Sequence, residues 1–402
     1  MTGSILTGQE MFSKPNNCAL AGLLIADAAA PTRAAAEPGS LLTAVVDAPR
    51  DAETVVADRQ VRRRRGAPFL GGGRGRAGGL VVALVVLAVV AACSIAFGAK
   101  AIPFGTVWRA LVDGNGSTDH QIVRELRIPR TLLGLGVGGA LGVAGALMQG
   151  VTRNPLADPG LLGVDAGAAL AVVVGIHTLG VTSLTSYVWF AFVGAGLASV
   201  VVYLLGSVGR GGATPVKLAL AGAALTALLT SLTSSILLLD VQTLDVFRFW
   251  AAGSLAGRDA EVVAQVVPFL VAGTVLALAT SRALNTLSLG DDVARSLGQR
   301  VHLARGLSAL AIVLLCGAAT AAAGPIGFVG LTVPHVARAI CGPDYRWILP
   351  WSMVLAPTLL LAADVIGRVI ARPGEVQVGI VTAFVGAPFF IALVRRRKLG
   401  DL

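Results

Sequence analysis

The chain alternates between long uncharged apolar runs and short segments that collect most of its charged residues. A helix needs about 20 apolar residues to cross a bilayer, so each run of about that length predicts a membrane span. The predicted spans lie within Ala77–Ala99, Thr131–Thr152, Ala166–Gly209, Leu218–Leu239, Val262–Ser281, Gly306–Ala337, Trp347–Ala363 and Val376–Val394.

Two of these runs are too long to be one span. Ala166–Gly209 has 44 uncharged residues and predicts two helices, divided by a turn near His177–Tyr187. Gly306–Ala337 has 32, and Gly324-Pro325 breaks it into one full span and one short or re-entrant helix. The pattern therefore predicts an all-α, polytopic membrane protein with about ten transmembrane helices.

Basic residues near the ends of the spans predict orientation, because Lys and Arg are retained on the cytoplasmic side. They cluster before the first span, at Arg62–Arg65, and after the last, at Arg395–Lys398. An even number of spans then places both termini in the cytoplasm. Some arginines break this rule and fall on the outer side: Arg124, Arg127, Arg130, Arg248, Arg258, Arg368 and Arg372.

Residues 1–76 are rich in Ala, Pro, Asp and Arg and contain no apolar run long enough to span a membrane. This composition predicts a disordered cytoplasmic extension, with a regulatory tail as the alternative. Residues 77–398 form the predicted transmembrane domain, which includes a long cytoplasmic loop at 282–305.

Composition narrows the class of protein. Hydrophobic residues make up 55% of the chain and charged residues 13%, about half the usual charged share, which excludes an ordinary soluble enzyme. In so apolar a chain the net charge of +10 indicates membrane orientation, not a nucleic-acid partner. The four cysteines and four histidines lack metal-ligand spacing, and no nucleophile motif occurs. No catalytic residue, metal site or cofactor is predicted.

Small residues recur along the second span at every fourth position: Gly134, Gly138, Gly142, Ala146 and Gly150. Such a stripe lets helices approach closely in a membrane, and predicts a tightly packed bundle. A weak repeat at an offset of 179 residues aligns Gly145 with Gly324 and Pro155 with Pro334. Because the second and seventh spans run in opposite directions, this predicts an inverted internal repeat.

Several longer strings follow one another in a specific order. They are R-I-P-R at 127–130, R-N-P-L-A-D-P-G-L-L-G at 153–163, W-A-A-G-S-L at 250–255, L-G-D-D-V-A-R-S-L-G at 289–298, G-P-I-G-F-V-G-L at 324–331 and G-A-P-F-F at 386–390. In this order they resemble the permease subunits of ABC importers for ferric siderophores, haem and cobalamin, the FecCD-type family. The resemblance covers about residues 80–398.

The resemblance implies a non-enzymatic permease subunit of a bacterial cell-membrane importer that carries a ferric siderophore, with haem or cobalamin as alternatives. Its implied partners are a second permease subunit (identical or related), a cytoplasmic ABC ATPase dimer and an extracytoplasmic substrate-binding protein, in contact with membrane lipid. The sequence lacks a G-x-x-x-x-G-K-[ST] string, which agrees with ATP hydrolysis in a separate subunit.

A short amphipathic helix is predicted in the loop 282–305, where Leu289, Val293 and Leu297 share one face. By resemblance it is the coupling helix that contacts the ATPase; the alternative is a helix lying on lipid. The implied coupling residues are Leu289, Gly290, Asp291, Ala294, Leu297 and Gly298.

The outer arginines Arg127, Arg130 and Arg368 match, by resemblance, those that receive acidic groups of the binding protein. Complementary rim charges of this kind mainly raise the encounter rate. The alternatives are headgroup anchoring and, for Arg368, an i,i+4 pair with Asp364.

Two pairs of residues are predicted to have a structural or gating role: Asn154-Pro155, which ends the second span, and Gly324-Pro325. Asp165 replaces the Ser or Asn typical of the family and keeps a predicted capping role. Gln377 replaces a usual proline before the last span.

An ion-coupled secondary transporter is the alternative from another class. It would need several acidic residues within the spans, and only Asp364 lies near an apolar run.

Overall fold

The computed structural model describes residues 69–70, 72–112, 117–181, 183–209 and 214–396. Every regular element in this part of the chain is helical. The helices are α1 (Gly72–Ala96), α2 (Phe104–Val112), α3 (Thr118–Gln121), α4 (Ile128–Thr152), α5 (Val164–Leu179), α6 (Leu184–Ser207), α7 (Pro215–Leu239), α8 (Val241–Ala251), α9 (Ala260–Leu287), α10 (Asp291–Ser296), α11 (Val301–Ala323), α12 (Val329–Cys341), α13 (Tyr345–Ile370) and α14 (Val378–Arg396). A π-helical turn, Ile122–Arg127, leads into α4, and a 3-10 turn, Pro159–Leu162, precedes α5.

The helices agree with the predicted polytopic fold. Within the described residues, seven helices are long and apolar enough to cross a membrane, and α5, α12 and the apolar part of α14 are shorter. The all-α, multi-pass architecture is therefore confirmed. The number of ten crossings, the orientation of the termini and the inverted repeat stay predictions.

The first helix begins earlier than the sequence indicated. α1 starts at Gly72, so Arg74 and Arg76 lie within its first turns instead of before the span. Long arginine side chains tolerate this position because their aliphatic stems follow the helix while the charge reaches the interface. Residues 1–68, which hold nearly all of the predicted disordered extension, lie outside the described residues.

Helix α4 lies at the centre of the bundle, packed against α9, α11, α12 and α13. In its most apolar stretch 78% of residues are buried, whereas in α1 the share is 6%. The difference follows from side-chain size, because a helix lined with glycine and alanine can be surrounded by other helices.

The glycine stripe on α4 forms the predicted close seam. A Cβ on Gly138 would collide with the backbone of Pro357 in α13, and a Cβ on Gly142 would collide with Ser352 and Ala356. Gly145 meets the backbone of Gly330 in α12 in the same way. Only glycine permits these backbone approaches, so the seam fixes α4 against α12 and α13.

The predicted break at Gly324-Pro325 is present between α11 and α12. Gly324 ends α11 with a φ of 75° and a ψ of 179°, a conformation that favours glycine. α12 follows at Val329 as a helix of 13 residues, too short to cross a bilayer alone.

Candidate functional sites at the two ends of the bundle

Arg130 and Asp364 form a buried ion pair between α4 and α13. The Arg130 Nη2 lies 2.7 Å from Asp364 Oδ1, and its Nε donates to Asp364 Oδ2 at 3.1 Å. The Asp364 side chain is 1% exposed, and Arg130 also reaches Glu375 at 2.8 Å. This bidentate geometry is the strong form of an arginine–carboxylate contact.

Arg368 lies one turn after Asp364 in α13 and belongs to the same ion-pair network. Its Nη2 lies 2.9 Å from Asp364 Oδ2, so the i,i+4 pair that the sequence offered as an alternative is present. Its Nη1 donates to the backbone carbonyls of Ser94 and Phe97, both at 3.0 Å. Arg368 thereby ties α13 to the end of α1.

Arg127 caps the same end of α1. It donates to the carbonyls of Ile95, Ala96 and Lys100 at 2.9, 2.6 and 2.6 Å. The last carbonyls of a helix lack intrahelical donors and attract positive charge, so this position suits a buried guanidinium.

These contacts differ from the exposed surface that the sequence led us to expect. Arg127 and Arg368 are 4% and 2% exposed, and the outer arginines donate inward to the bundle. The predicted outer position of these arginines favours a docking surface, but the sequence pattern does not indicate that α1 ends beside them. Their docking role stays a prediction, and the described contacts give them a structural one.

At the other end of α4, helix α10 (Asp291–Ser296) lies within the predicted coupling loop. Gly290 and Gly298 flank it with φ of 111° and 78°. Ala294 is fully buried, which places that face of the helix against the bundle. Val293 within the helix, and Leu289 and Leu297 just outside its two ends, are exposed, at 46%, 62% and 63%.

Asp291 connects α10 to two other parts of the bundle. Its carboxylate accepts a hydrogen bond from Arg305 Nη2 of α11 at 2.9 Å and pairs with Arg153 just beyond α4. The coupling residues predicted from the sequence therefore divide into an exposed apolar face, two flanking glycines and an anchor. No local pattern in the sequence indicates that Arg153 and Arg305 share one carboxylate.

The Asn154-Pro155 turn begins where α4 ends. The last helical residue is Thr152, and Arg153 adopts a left-handed conformation with a φ of 52°. The Asn154 side chain accepts a hydrogen bond from the backbone N–H of Leu156 at 2.9 Å and so stabilises this turn. Two residues, Arg153 and Asn154, thus separate the end of the helix from Pro155.

The Gly324-Pro325 break meets the segment that follows α8. The backbone N–H of Ser254 donates to the Ala323 carbonyl at 2.7 Å, and Gly379 N–H donates to the Gly253 carbonyl at 3.0 Å. A Cβ on Gly324 would collide with the Trp250 carbonyl. The backbone segments near the starts of α9, α12 and α14 therefore contact and hydrogen-bond one another directly, with no side chains between them.

Asp165 does not cap a helix as predicted. The N-cap of α5 is Gly163, and Asp165 instead accepts a hydrogen bond from Thr320 Oγ1 of α11 at 2.7 Å. It is a second acidic residue inside an apolar helix, missed because the sequence placed it at the edge of a loop. Both carboxylates are held by partners, since Asp364 pairs with two arginines.

A glycine-seamed bundle of apolar helices, with an exposed amphipathic helix at one end, is typical of the membrane subunit of a multi-subunit transporter. Residues 84–396 match the FecCD transport family, and the chain belongs to that family. It is a multi-pass bacterial membrane protein and an ABC permease.

Several characterised proteins are similar over nearly their whole length. The ferric enterobactin transport system permease FepD of Escherichia coli K12 is 51% identical over 318 residues, covering 79% of this chain and 95% of its own. The hemin transport system permease HmuU of Yersinia pestis is 37% identical over 323 residues, covering 78% and 94%. A solved inward-facing metal-chelate type ABC transporter superposes with a TM-score of 0.70 at 28% identity, covering 79% of this chain and 99% of its own.

Proposed function

We propose that this chain is the permease subunit of an ATP-driven importer that carries a ferric siderophore across the bacterial cell membrane. The observation that carries the proposal is the 51% identity to a ferric enterobactin permease over 95% of that protein. A relative named for hemin is 37% identical, which makes haem the second candidate substrate.

The exposed apolar face of the coupling helix supports docking of a separate ATPase subunit. Leu289, Val293 and Leu297 form a row that a groove on a soluble partner would cover. A displacement of α10 would reach α4 through Asp291–Arg153 and α11 through Asp291–Arg305. ATP hydrolysis in the partner thereby drives the two central helices, while this chain is not itself catalytic.

The remaining partners are proposed from the family. A second permease subunit, identical or related, covers the apolar faces left exposed in the single chain, alongside lipid. A substrate-binding protein docks at the outer end, and both termini lie in the cytoplasm. If Arg127, Arg130 and Arg368 take part in docking, acidic groups of the binding protein must exchange with Asp364 and backbone carbonyls.

The motif residues suggest where the path opens and closes. Arg153 and Asn154-Pro155 lie at the inner end of α4, and Gly324-Pro325 lies in the interlocked backbone before α12. Gly324 has a positive φ, and a Cβ at this position would collide with the Trp250 carbonyl, so the junction requires glycine. We assign this junction to the gate because its backbone contacts join segments before α9, α12 and α14.

The test is uptake of radiolabelled iron into cells that lack the gene, complemented with the chain and its transport partners. The panel contains ferric siderophores, haem and labelled cobalamin, with and without vanadate. We expect vanadate-sensitive uptake of at least one ferric siderophore. Restoration of cobalamin uptake alone would overturn the substrate, and vanadate-insensitive uptake that collapses with the proton gradient would favour a secondary transporter.

A further inference from the structure

A cavity of about 610 Å³ opens at the outer end of the bundle, beside the segment that joins α8 to α9. Its walls include Tyr187, Arg248, Trp250 and Gln377. A second cavity, of about 420 Å³, is lined by the outer arginines Arg127, Arg130 and Arg368. Residues 256–258 line both cavities and form the wall between them.

Arg258 is the buried cation in this shared wall. It is 6% exposed, and its Nε has no hydrogen-bond partner among the described residues. Burial lowers the pKa of Arg258 to about 10, against the raising effect of Tyr187 and Asp259, so the group stays charged at neutral pH. Arg130 and Arg368, by contrast, share the carboxylate of Asp364.

Two other buried donors on the first cavity are also unsatisfied within the described residues. The Tyr187 hydroxyl and the Trp250 indole N–H lack partners, and these residues are 3% and 2% exposed. A buried polar group without a hydrogen bond is unfavourable, and such groups are rare in native structures. Three residues that line one cavity thus each carry a buried donor without a partner among the described residues, and one of the three is cationic. This combination favours a ligand rich in oxygen acceptors and negative charge.

We propose that Arg258, with Tyr187 and Trp250, recognises an anionic ferric chelate as it enters the permease from the outer side. A ferric ion held by catecholate or hydroxycarboxylate groups carries net negative charge and exposed oxygen atoms, whereas a tris-hydroxamate chelate is neutral. The inference rests on the proposed function and narrows its substrate class. A carboxylate of a docking protein is the competing occupant, and the affinity of the variants for the empty binding protein distinguishes it.

Arg258→Gln and Arg258→Lys test the proposal, with Arg248→Gln as the matched control. Arg248 lines the same cavity, but its side chain is 60% exposed and pairs with Asp245. The complete importer is assayed for initial uptake of ferric tris-catecholate, ferric citrate and a neutral ferric tris-hydroxamate. Membrane levels and ATPase co-purification are measured for each variant.

We expect Arg258→Gln to reduce uptake of anionic chelates at subsaturating concentration by roughly tenfold, as expected for loss of a charge-assisted hydrogen bond. Arg258→Lys should retain most of the uptake. Arg248→Gln, and neutral-chelate uptake by every variant, should change less than twofold. If the wild-type importer carries only anionic chelates, the comparison is between the two variants. A larger loss of uptake in Arg258→Gln than in Arg248→Gln then supports the inference.

Three results would overturn the inference: wild type that carries only neutral chelates, equal losses in the Arg258 and Arg248 variants, or weaker affinity of Arg258→Gln for the empty binding protein. The last result would assign Arg258 to docking. Absence of uptake of every ferric chelate by wild type, despite an assembled and active ATPase, would instead overturn the proposed function and this inference with it.

Discussion

The two ends of helix α4 handle charge in opposite ways. At the outer end, Arg127 and Arg368 are buried and Arg130 is largely covered, and these arginines use their donors on Asp364 and on the end of α1. At the inner end, Asp291, the first residue of α10, is held by Arg153 and Arg305, while the neighbouring Leu289, Val293 and Leu297 are exposed.

The difference separates two tasks that charged residues perform at the surface of a membrane bundle. The outer cluster is closed upon itself and joins α1, α4 and α13 into one unit. The inner cluster anchors one side of α10 while its other side remains available to a partner. The position of a charged residue in the sequence does not by itself reveal which of these two tasks the residue performs.

The largest change that we expect is a loss of stability when the outer cluster loses its shared carboxylate. Asp364→Asn removes the carboxylate that two buried arginines share, and we expect it to lower the free energy of unfolding by about 3 kcal/mol. Thermal unfolding of the purified permease in detergent measures the change. Asp245→Asn is the control, because that carboxylate is 57% exposed and its pairing with Arg248 should contribute at most about 1 kcal/mol. Equal effects of the two variants would contradict a closed outer cluster.

The second expected change is weaker ATPase binding when the exposed face of α10 at the inner end is altered. Val293→Asp places a charge on the exposed apolar face of α10, and we expect roughly tenfold weaker ATPase binding with unchanged thermal unfolding, because the buried face is untouched. Ser296→Asp adds the same charge to the same helix outside the Leu289–Val293–Leu297 row. Affinity for the purified ATPase, measured with the permease in nanodiscs, separates the two. Similar weakening by both variants would argue for a general charge effect.

The smallest effect concerns Asp158, in the turn before α5. Burial raises its pKa to about 6, although it accepts a hydrogen bond from Gly160 N–H. With an unfolded pKa of about 3.9, stability falls as the pH rises from 4 through 6, and the full cost is present above pH 6. Because the residue is partly exposed, Asp158→Asn should stabilise by only about 1 kcal/mol at pH 8, and the gain should narrow at pH 5. A gain that does not depend on pH would contradict this origin.

The sequence pattern predicted the helices well and the contacts at the two ends of the bundle less well. Apolar runs and Gly324-Pro325 predicted the spans and the break, because both depend on local composition. The face of α10 followed from the spacing of Leu289, Val293 and Leu297.

Long-range pairs were not predictable from pattern. Nothing local indicates that Asp291 meets Arg153, that Arg127 meets the last carbonyls of α1, or that Asp165 bonds Thr320 instead of capping α5. Arg258 belongs to the same outer set as Arg127 and Arg130, but Arg127 donates to backbone carbonyls and Arg130 to Asp364, whereas Arg258 Nε has no partner among the described residues.

The glycine seam of α4 has a mechanical consequence. Where Gly138 and Gly142 lie against the backbone of α13, there are no side-chain rotamers between the helices to absorb a displacement. A 25-residue helix is about 37 Å long, so α4 acts as a stiff rod over that length. A displacement of Arg153 at one end of α4 would therefore be carried along the helix to Arg130 at the other end, with no side-chain rearrangement at this seam to take it up.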